Sequence, residues 1–198
     1  MSAQGISVFD LVIAGVGGQG AILASDIVGR AAVKEGLSIR AAETHGMAQR
    51  GGSVVNHIRI GCELGSMIPL GGADVLLALE PSEALRYLDY LAEDGIVIVN
   101  TAPILPVTVT SGLCLYPGIE EMMASLEGKR KVIGFNATRV ALGAGNVQAM
   151  NVVMVGAVSN YLPVSPEVML DCVRELVPPK TVDVNIKAFE LGRAQTRV

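Results

Sequence analysis

Residues 9–20 read FDLVIAGVGGQG, an apolar run with branched side chains that stops at a cluster of glycines. Phe9 to Ala14 predicts a short buried strand, because a continuous apolar run of this length suits a strand covered on both faces. The next six residues, Gly15-Val16-Gly17-Gly18-Gln19-Gly20, fit the pattern G-x-G-x-x-G. Gln19 to Glu35 then predicts a helix, with Leu23, Ile27 and Ala31 along one face and Gly36 closing it. A strand, a glycine turn and a helix in that order can form a phosphate-binding arrangement, and the same turn is also a sound structural solution without any ligand. The first Gly permits the tight turn, the second lets backbone approach a phosphate, and the third lets helix and strand pack closely. The N–H groups at the helix start favour an anion.

Outward from this unit, strand and helix signals alternate. Leu37 to Glu43, Ser53 to Ile60, Asp74 to Leu79 and Ile96 to Asn100 predict further strands. A helix is predicted from Pro81 to Glu93, with Asp94-Gly95 as the turn after it. Gly112 to Tyr116 and Val132 to Asn136 are shorter strand candidates around a helix from about Ile119 to Leu126. From Asn146 onward the pattern turns helical, near 147–161, 166–177 and 182–196, punctuated by Pro163, Pro166, Pro178 and Pro179. This predicts an α/β, Rossmann-like, doubly wound and mostly parallel sheet with a helical C-terminal third, in one domain spanning 1–198.

Composition narrows the function. Apolar residues make up 51% of the chain and charged residues 17%, with a formal net charge of −4. An acidic balance and the absence of any basic run beyond Lys129-Arg130-Lys131 argue against nucleic-acid binding. Residues 1–10 lack the features of a signal peptide. Four glycines and Gln19 interrupt the apolar run from Leu11 to Ala24, so no membrane span is expected there. The three cysteines, Cys62, Cys114 and Cys172, form no local metal knuckle or disulfide framework. No metal site is expected on the chain, and its location is expected to be cytoplasmic. The apolar surplus fits either a well-filled core or a buried subunit interface.

The second informative stretch is ETHGMAQRGG, residues 43–52. Glu43, 23 residues beyond Gly20, falls where a ribose-binding acid follows a dinucleotide turn. Its neighbours fit an ordinary dehydrogenase poorly: no Tyr-x-x-x-Lys pair follows, and no His–Asp pair on a separate catalytic domain. The candidate turn residues are Gly15, Gly17, Gly18, Gln19, Gly20 and Glu43. The candidate ligand- or partner-facing residues are His45, Gln49, Arg50, Gly51 and Gly52, joined by Glu80 and Asn100 at the ends of the fourth and fifth strands. Each has a structural alternative, because strand-end polar residues also cap helices and loop arginines also bridge acids. His57 is expected on the strand surface, on the face of Val55 and Arg59.

AGVGGQG (14–20), ETHGMAQRGGSVVNHIRIG (43–61) and ADVLLALEPSEALR (73–86) together resemble the gamma subunit or domain of the 2-oxoacid:ferredoxin oxidoreductases. IVIVNTAPILP (96–106) and NVVMVG (151–156) agree with them. The His-Gly-Met-Ala-Gln-Arg-Gly-Gly form of the loop is similar to the small (beta) subunits of the indolepyruvate branch. Asn56, in place of a small hydroxyl residue, and Asp94-Gly95, in place of a Gly-Gly turn, are minor departures. The resemblance implies oxidation of a 2-oxoacid to acyl-CoA and CO2, with thiamine diphosphate, Mg, [4Fe-4S] clusters, CoA as co-substrate and ferredoxin as acceptor. The chain has no Cys-x-x-Cys-x-x-Cys run and no Gly-Asp-Gly with a downstream Asn-Asn. The cofactors are therefore implied on a large alpha subunit, with ferredoxin reached through the complex and this chain inactive alone. An apolar interface left bare would favour a homodimer of the isolated chain. The resemblance also implies that the loop faces the partner's thiamine site or the CoA path, with Arg50 steadying an anion. Two alternatives stay open: an independent NAD(P)- or flavin-binding oxidoreductase, and a purely structural docking subunit.

Overall fold

A computed structural model describes residues 8–44, 52–63 and 65–197. Strands β1 (Phe9–Val16), β2 (Ile39–Thr44), β3 (Ser53–Ile60), β4 (Ala73–Ala78), β5 (Leu91–Asn100) and β6 (Lys131–Phe135) form one sheet, ordered β2-β3-β1-β4-β5-β6. β1, β4, β5 and β6 run parallel, whereas β3 is antiparallel to both β1 and β2. The sheet is thus mostly parallel, as expected, with a hairpin-like inversion at one side. The carboxyl ends of β1, β4 and β5 share one edge, where ligands of open α/β sheets bind.

Helices cover both faces. On one side lie α1 (Ala21–Lys34) and, beyond short α2 (Pro81–Arg86), α3 (Val107–Thr110) and α4 (Ile119–Glu127), the C-terminal set α5 (Ala137–Ala144), α6 (Met150–Val158), α7 (Pro166–Leu176) and α8 (Val182–Gln195). Alternation along the strands decides the two cores. Leu11, Ile13, Leu77 and Ile98 pack under α1 and the C-terminal helices. Val12, Ala14, Leu76 and Val97 pack under α2 and α4 through Ala84 and Leu126. Every residue of α6 is buried and all but Asn151 are apolar or glycine, so this helix lies between the sheet and α8. Across the β1–β3 pair, Arg59 forks onto Asp10, with Nε donating to Oδ1 at 2.9 Å and an Nη to Oδ2 at 3.1 Å.

Several expectations change. The helix opened by Pro81 ends at Arg86, and Asp94-Gly95 is no turn: β5 already begins at Leu91 and carries a bulge there. A Cβ at Gly95 would lie 2.6 Å from Leu91 Cδ1 and 2.9 Å from the Ala73 carbonyl, so only glycine fits the bulge. Gly112 to Tyr116 forms no strand but belongs to an irregular excursion that also holds α3, and α5 was not anticipated. His57 is not a surface residue. It is fully buried, edge-on to Tyr90 with ring centroids 5.0 Å apart, and its Nδ1 accepts from Ile68 N–H at 3.4 Å. The parity with Val55 was right; the loop after β3 and Tyr90 cover that face. Among the described residues no helix is long and apolar enough to cross a membrane.

Candidate functional site

The glycine turn opens directly from β1, and much of its hydrogen bonding is internal. Gln19 Oε1 accepts from Val16 N–H at 2.7 Å, and its Nε2 donates to the Leu79 carbonyl at 2.8 Å. Gln19 N–H itself returns to the Val16 carbonyl at 3.1 Å. One side chain therefore locks the turn and ties it to the end of β4. Gly20, the N-cap of α1, sits at φ +79, and its carbonyl accepts from Asn151 Nδ2 at 3.1 Å. A Cβ there would meet that Nδ2 at 2.4 Å, so the left-handed backbone and the neighbouring helix both demand glycine.

The turn is coupled to the start of β3 through Gly52. Gly17 N–H donates to the Gly52 carbonyl at 2.8 Å. The next residue, Ser53, donates from its hydroxyl to Glu83 and lies 3.0 Å from the Tyr87 hydroxyl. Gly52 and Ser53 are thus fixed to the glycine turn on one side and to α2 on the other. His45, Gln49, Arg50 and Gly51 lie outside the described residues.

Glu80 and Asn100 come together at the same edge, and both are satisfied by local structure. Glu80 is completely buried. Its Oε2 accepts from Ser82 N–H at 2.7 Å, Ser82 Oγ at 2.5 Å and Glu83 N–H at 3.2 Å, capping α2. Its Oε1 accepts from Ile104 N–H at 3.3 Å and from the Tyr116 hydroxyl. Burial, reinforced by this hydrogen bond to the Glu80 carboxylate, pushes the Tyr116 phenol well above its ordinary value of 10.0. Asn100 Nδ2 donates to the Leu79 carbonyl at 3.1 Å, and its Oδ1 accepts from Ala137 N–H at 3.0 Å and Ala102 N–H at 3.2 Å. Asn100 thereby joins the ends of β4 and β5 to the start of α5.

A cleft of about 280 Å³ opens between these parts, lined by Gly18, Gln19, Asn100, Ile104, Thr138, Gln148 and their neighbours. Among the described residues no ionisable side chain lines it. Glu43 does not stand beside it in the manner of a dinucleotide fold. β3 occupies the place next to β1, and Glu43 lies at the end of the outer strand β2, opposite Asn56. Asn151, Tyr116 and Ser53 hold the site together and were not singled out from the sequence. An Asn inside an otherwise apolar helix was the available signal for the first. Cys62 and Cys172 are buried and Cys114 is exposed, each on a different part of the fold. Among the described residues no three His, Cys, Asp or Glu side chains gather to hold a metal.

Residues 10–195 match the family described as pyruvate ferredoxin/flavodoxin oxidoreductase. The indolepyruvate oxidoreductase subunit IorB of Pyrococcus horikoshii is 47% identical over 189 residues, covering 93% of this chain and 94% of that protein. The gamma subunit of a keto/oxoacid ferredoxin oxidoreductase from Geobacter sulfurreducens superposes with a TM-score of 0.70 at 27% identity, covering 95% of this chain and 98% of that one. A 2-oxoglutarate:ferredoxin oxidoreductase from Magnetococcus marinus, with 2-oxoglutarate, coenzyme A and succinyl-CoA bound, shares the fold at a TM-score of 0.73 and 18% identity. The match covers 97% of this chain and 31% of that one.

Proposed function

The chain belongs to the pyruvate ferredoxin/flavodoxin oxidoreductase family, and from that premise we propose that it is the small, non-cofactor-bearing subunit of an indolepyruvate:ferredoxin oxidoreductase. The complex converts an aryl 2-oxoacid and CoA to acyl-CoA and CO2 while reducing ferredoxin. Thiamine diphosphate, Mg and [4Fe-4S] clusters belong to a large alpha subunit; they supply decarboxylation and electron transfer. The donor groups among the described residues do not fit them, so no chemical step is assigned to this chain's own side chains.

The observation that carries the reading is the way the glycine turn is closed on itself. A dinucleotide turn presents its N–H groups to a pyrophosphate. Here Val16 N–H is taken by Gln19, Gly17 N–H by Gly52 and Gln19 N–H by Val16. With Glu43 removed to the outer strand, the arrangement suits a rigid wall that positions the 45–52 loop better than a nicotinamide or flavin site. Arg50 then steadies an anionic group at the shared site, either the substrate carboxylate or a CoA phosphate, with Gln49 and His45 donating hydrogen bonds beside it. The adjoining cleft, uncharged among the described residues, accepts an uncharged stretch of a ligand and leaves anions to the loop.

The test is an anaerobic pull-down of the tagged chain from its own host, assayed for viologen reduction with indolepyruvate and CoA. A large, brown partner with oxoacid-dependent activity is the expected result. Recovery of the chain alone with bound nicotinamide or flavin would overturn the reading. In the assembled enzyme, Arg50→Ala should raise the Michaelis constant for oxoacid or CoA; unchanged kinetics would leave a purely structural docking role.

A further inference from the structure

We propose that residues 101–118 form a docking arm for the large cofactor-bearing subunit, held out from the body of the fold by Glu80. This rests on the subunit reading above and adds to it the surface by which the partner is engaged. The segment, TAPILPVTVTSGLCLYPG, contains no charged residue. Its large apolar side chains face solvent: Val107 is 80% exposed, Leu113 78% and Leu115 96%, with Ile104 and Leu105 also exposed. An isolated chain has no reason to leave a leucine almost wholly in water when a core lies beside it. Five exposed large apolar residues in one excursion, three of them mostly in water, mark a surface that is covered in the working molecule.

The arm is built, with the backbone hydrogen bonds of its 106–114 stretch made within itself. The single helical turn α3 is closed by Gly112, at φ +78, and Thr108 O accepts from both Leu113 N–H at 2.9 Å and Cys114 N–H at 3.1 Å. Glu80 holds both of its ends, accepting from Ile104 N–H near the start and from the Tyr116 hydroxyl near the finish. One buried carboxylate therefore caps α2 and latches the arm in a fixed pose, which lowers the ordering cost of association.

Continuity with the candidate site identifies the occupant. Ile104 of the arm and Val147 both line the cleft beside the glycine turn, and both are exposed, so the apolar surface runs into the mouth of the site. That site needs the cofactors of the large subunit, so the subunit that completes it must cover this edge. A second copy of the chain seated on the arm would instead close the cleft against an identical, cofactor-free surface. The absence of charge on the arm calls for an apolar, uncharged face on the partner.

The experiment is anaerobic co-purification of the tagged chain with the large subunit in its own host, comparing wild type with Leu115→Glu, Val107→Glu and the control Val33→Glu on the outer side of α1. Both arm variants should lower recovery of the large subunit at least tenfold, while Val33→Glu leaves it unchanged and each variant chain alone keeps its circular dichroism and melting temperature. Full recovery with both arm variants overturns the proposal. So does conversion of an isolated homodimer to monomer by Leu115→Glu with the hetero-complex intact, since the occupant is then a second copy. Failure of the wild-type chain to recover any large subunit overturns the subunit reading itself. Glu80→Gln, which replaces one accepting oxygen by a donor, should speed amide hydrogen exchange across 104–116; unchanged exchange would remove the latch from the proposal.

Discussion

At the scale of single residues, His57 carries a pH dependence. Burial holds the ring below its ordinary value of 6.5, and the Asp10 carboxylate opposes this only in part. The folded chain therefore takes up this proton at lower pH than the unfolded chain does. Stability from this group is complete above 6.5 and is lost as pH falls through the window between that value and the lower folded one. Melting temperatures recorded from about pH 7.5 to about pH 5 should fall more steeply for wild type than for His57→Gln, which keeps an acceptor but does not titrate. Parallel curves would show that the ring does not titrate as its burial implies. Gln19 is the second case. Gln19→Leu keeps roughly the volume but strands Val16 N–H in a buried place and leaves the Leu79 carbonyl with the Asn100 amide alone, so urea unfolding should show a loss on the order of 1–3 kcal/mol. A neutral result would mean that water replaces both bonds. The sequence marked Gln19 as part of the turn but could not show where its amide points, because Leu79 lies 60 residues away. Glu80 was visible as a strand-end acid for the same reason that it was ambiguous: its two partners from the arm come from beyond β5.

At the scale of elements, α6 and α8 meet backbone to backbone. A Cβ at Gly156 would lie 2.1 Å from the Phe189 carbonyl oxygen, and one at Gly192 would lie 1.9 Å from that of Val153. Neither carbonyl is a flexible tip, so Gly156→Ala must push two helices apart and open the core around Val153 and Phe189. A loss of roughly 4 kcal/mol or more follows, which belongs to the exceptional class for a single methyl. Gly143→Ala, in α5 with open space about it, should instead stabilise by about 0.5–1 kcal/mol. Thermal melts of the pair decide the matter, and equal effects would contradict the close approach. Much of this layer was legible, since the strands β1 to β6 and the late helices follow from apolar periodicity and proline placement. Periodicity is blind to strand direction, so the reversal of β3 was not. Asp94-Gly95 misled because a bulge and a turn want the same residues. Gly112 to Tyr116 misled because an apolar run signals burial, whether the cover is the chain's own core or, as inferred here, another subunit.

At the scale of the whole molecule, the distribution of charge sets how assembly responds to salt. The chain carries a net charge of −4, yet the 101–118 excursion carries none. Ion pairs across an interface weaken as the Debye length shrinks from about 10 Å at 0.1 M salt to about 3 Å at 1 M. Apolar burial does not weaken in this way, and excluded salts such as sulfate strengthen it. If the arm provides the centre of the interface, the amount of large subunit recovered should be unchanged between about 0.1 M and about 1 M NaCl and should rise in ammonium sulfate below its precipitation point. Loss of the complex with a steep salt slope would place the binding free energy on charged surface elsewhere, such as Lys34 and Glu175 where α1 meets α7. Because steering by charge acts on association and apolar contact on dissociation, the same titration read by kinetics separates them. An arm-centred interface shows a slow, salt-independent off-rate, and a charge-centred one shows an on-rate that falls with ionic strength.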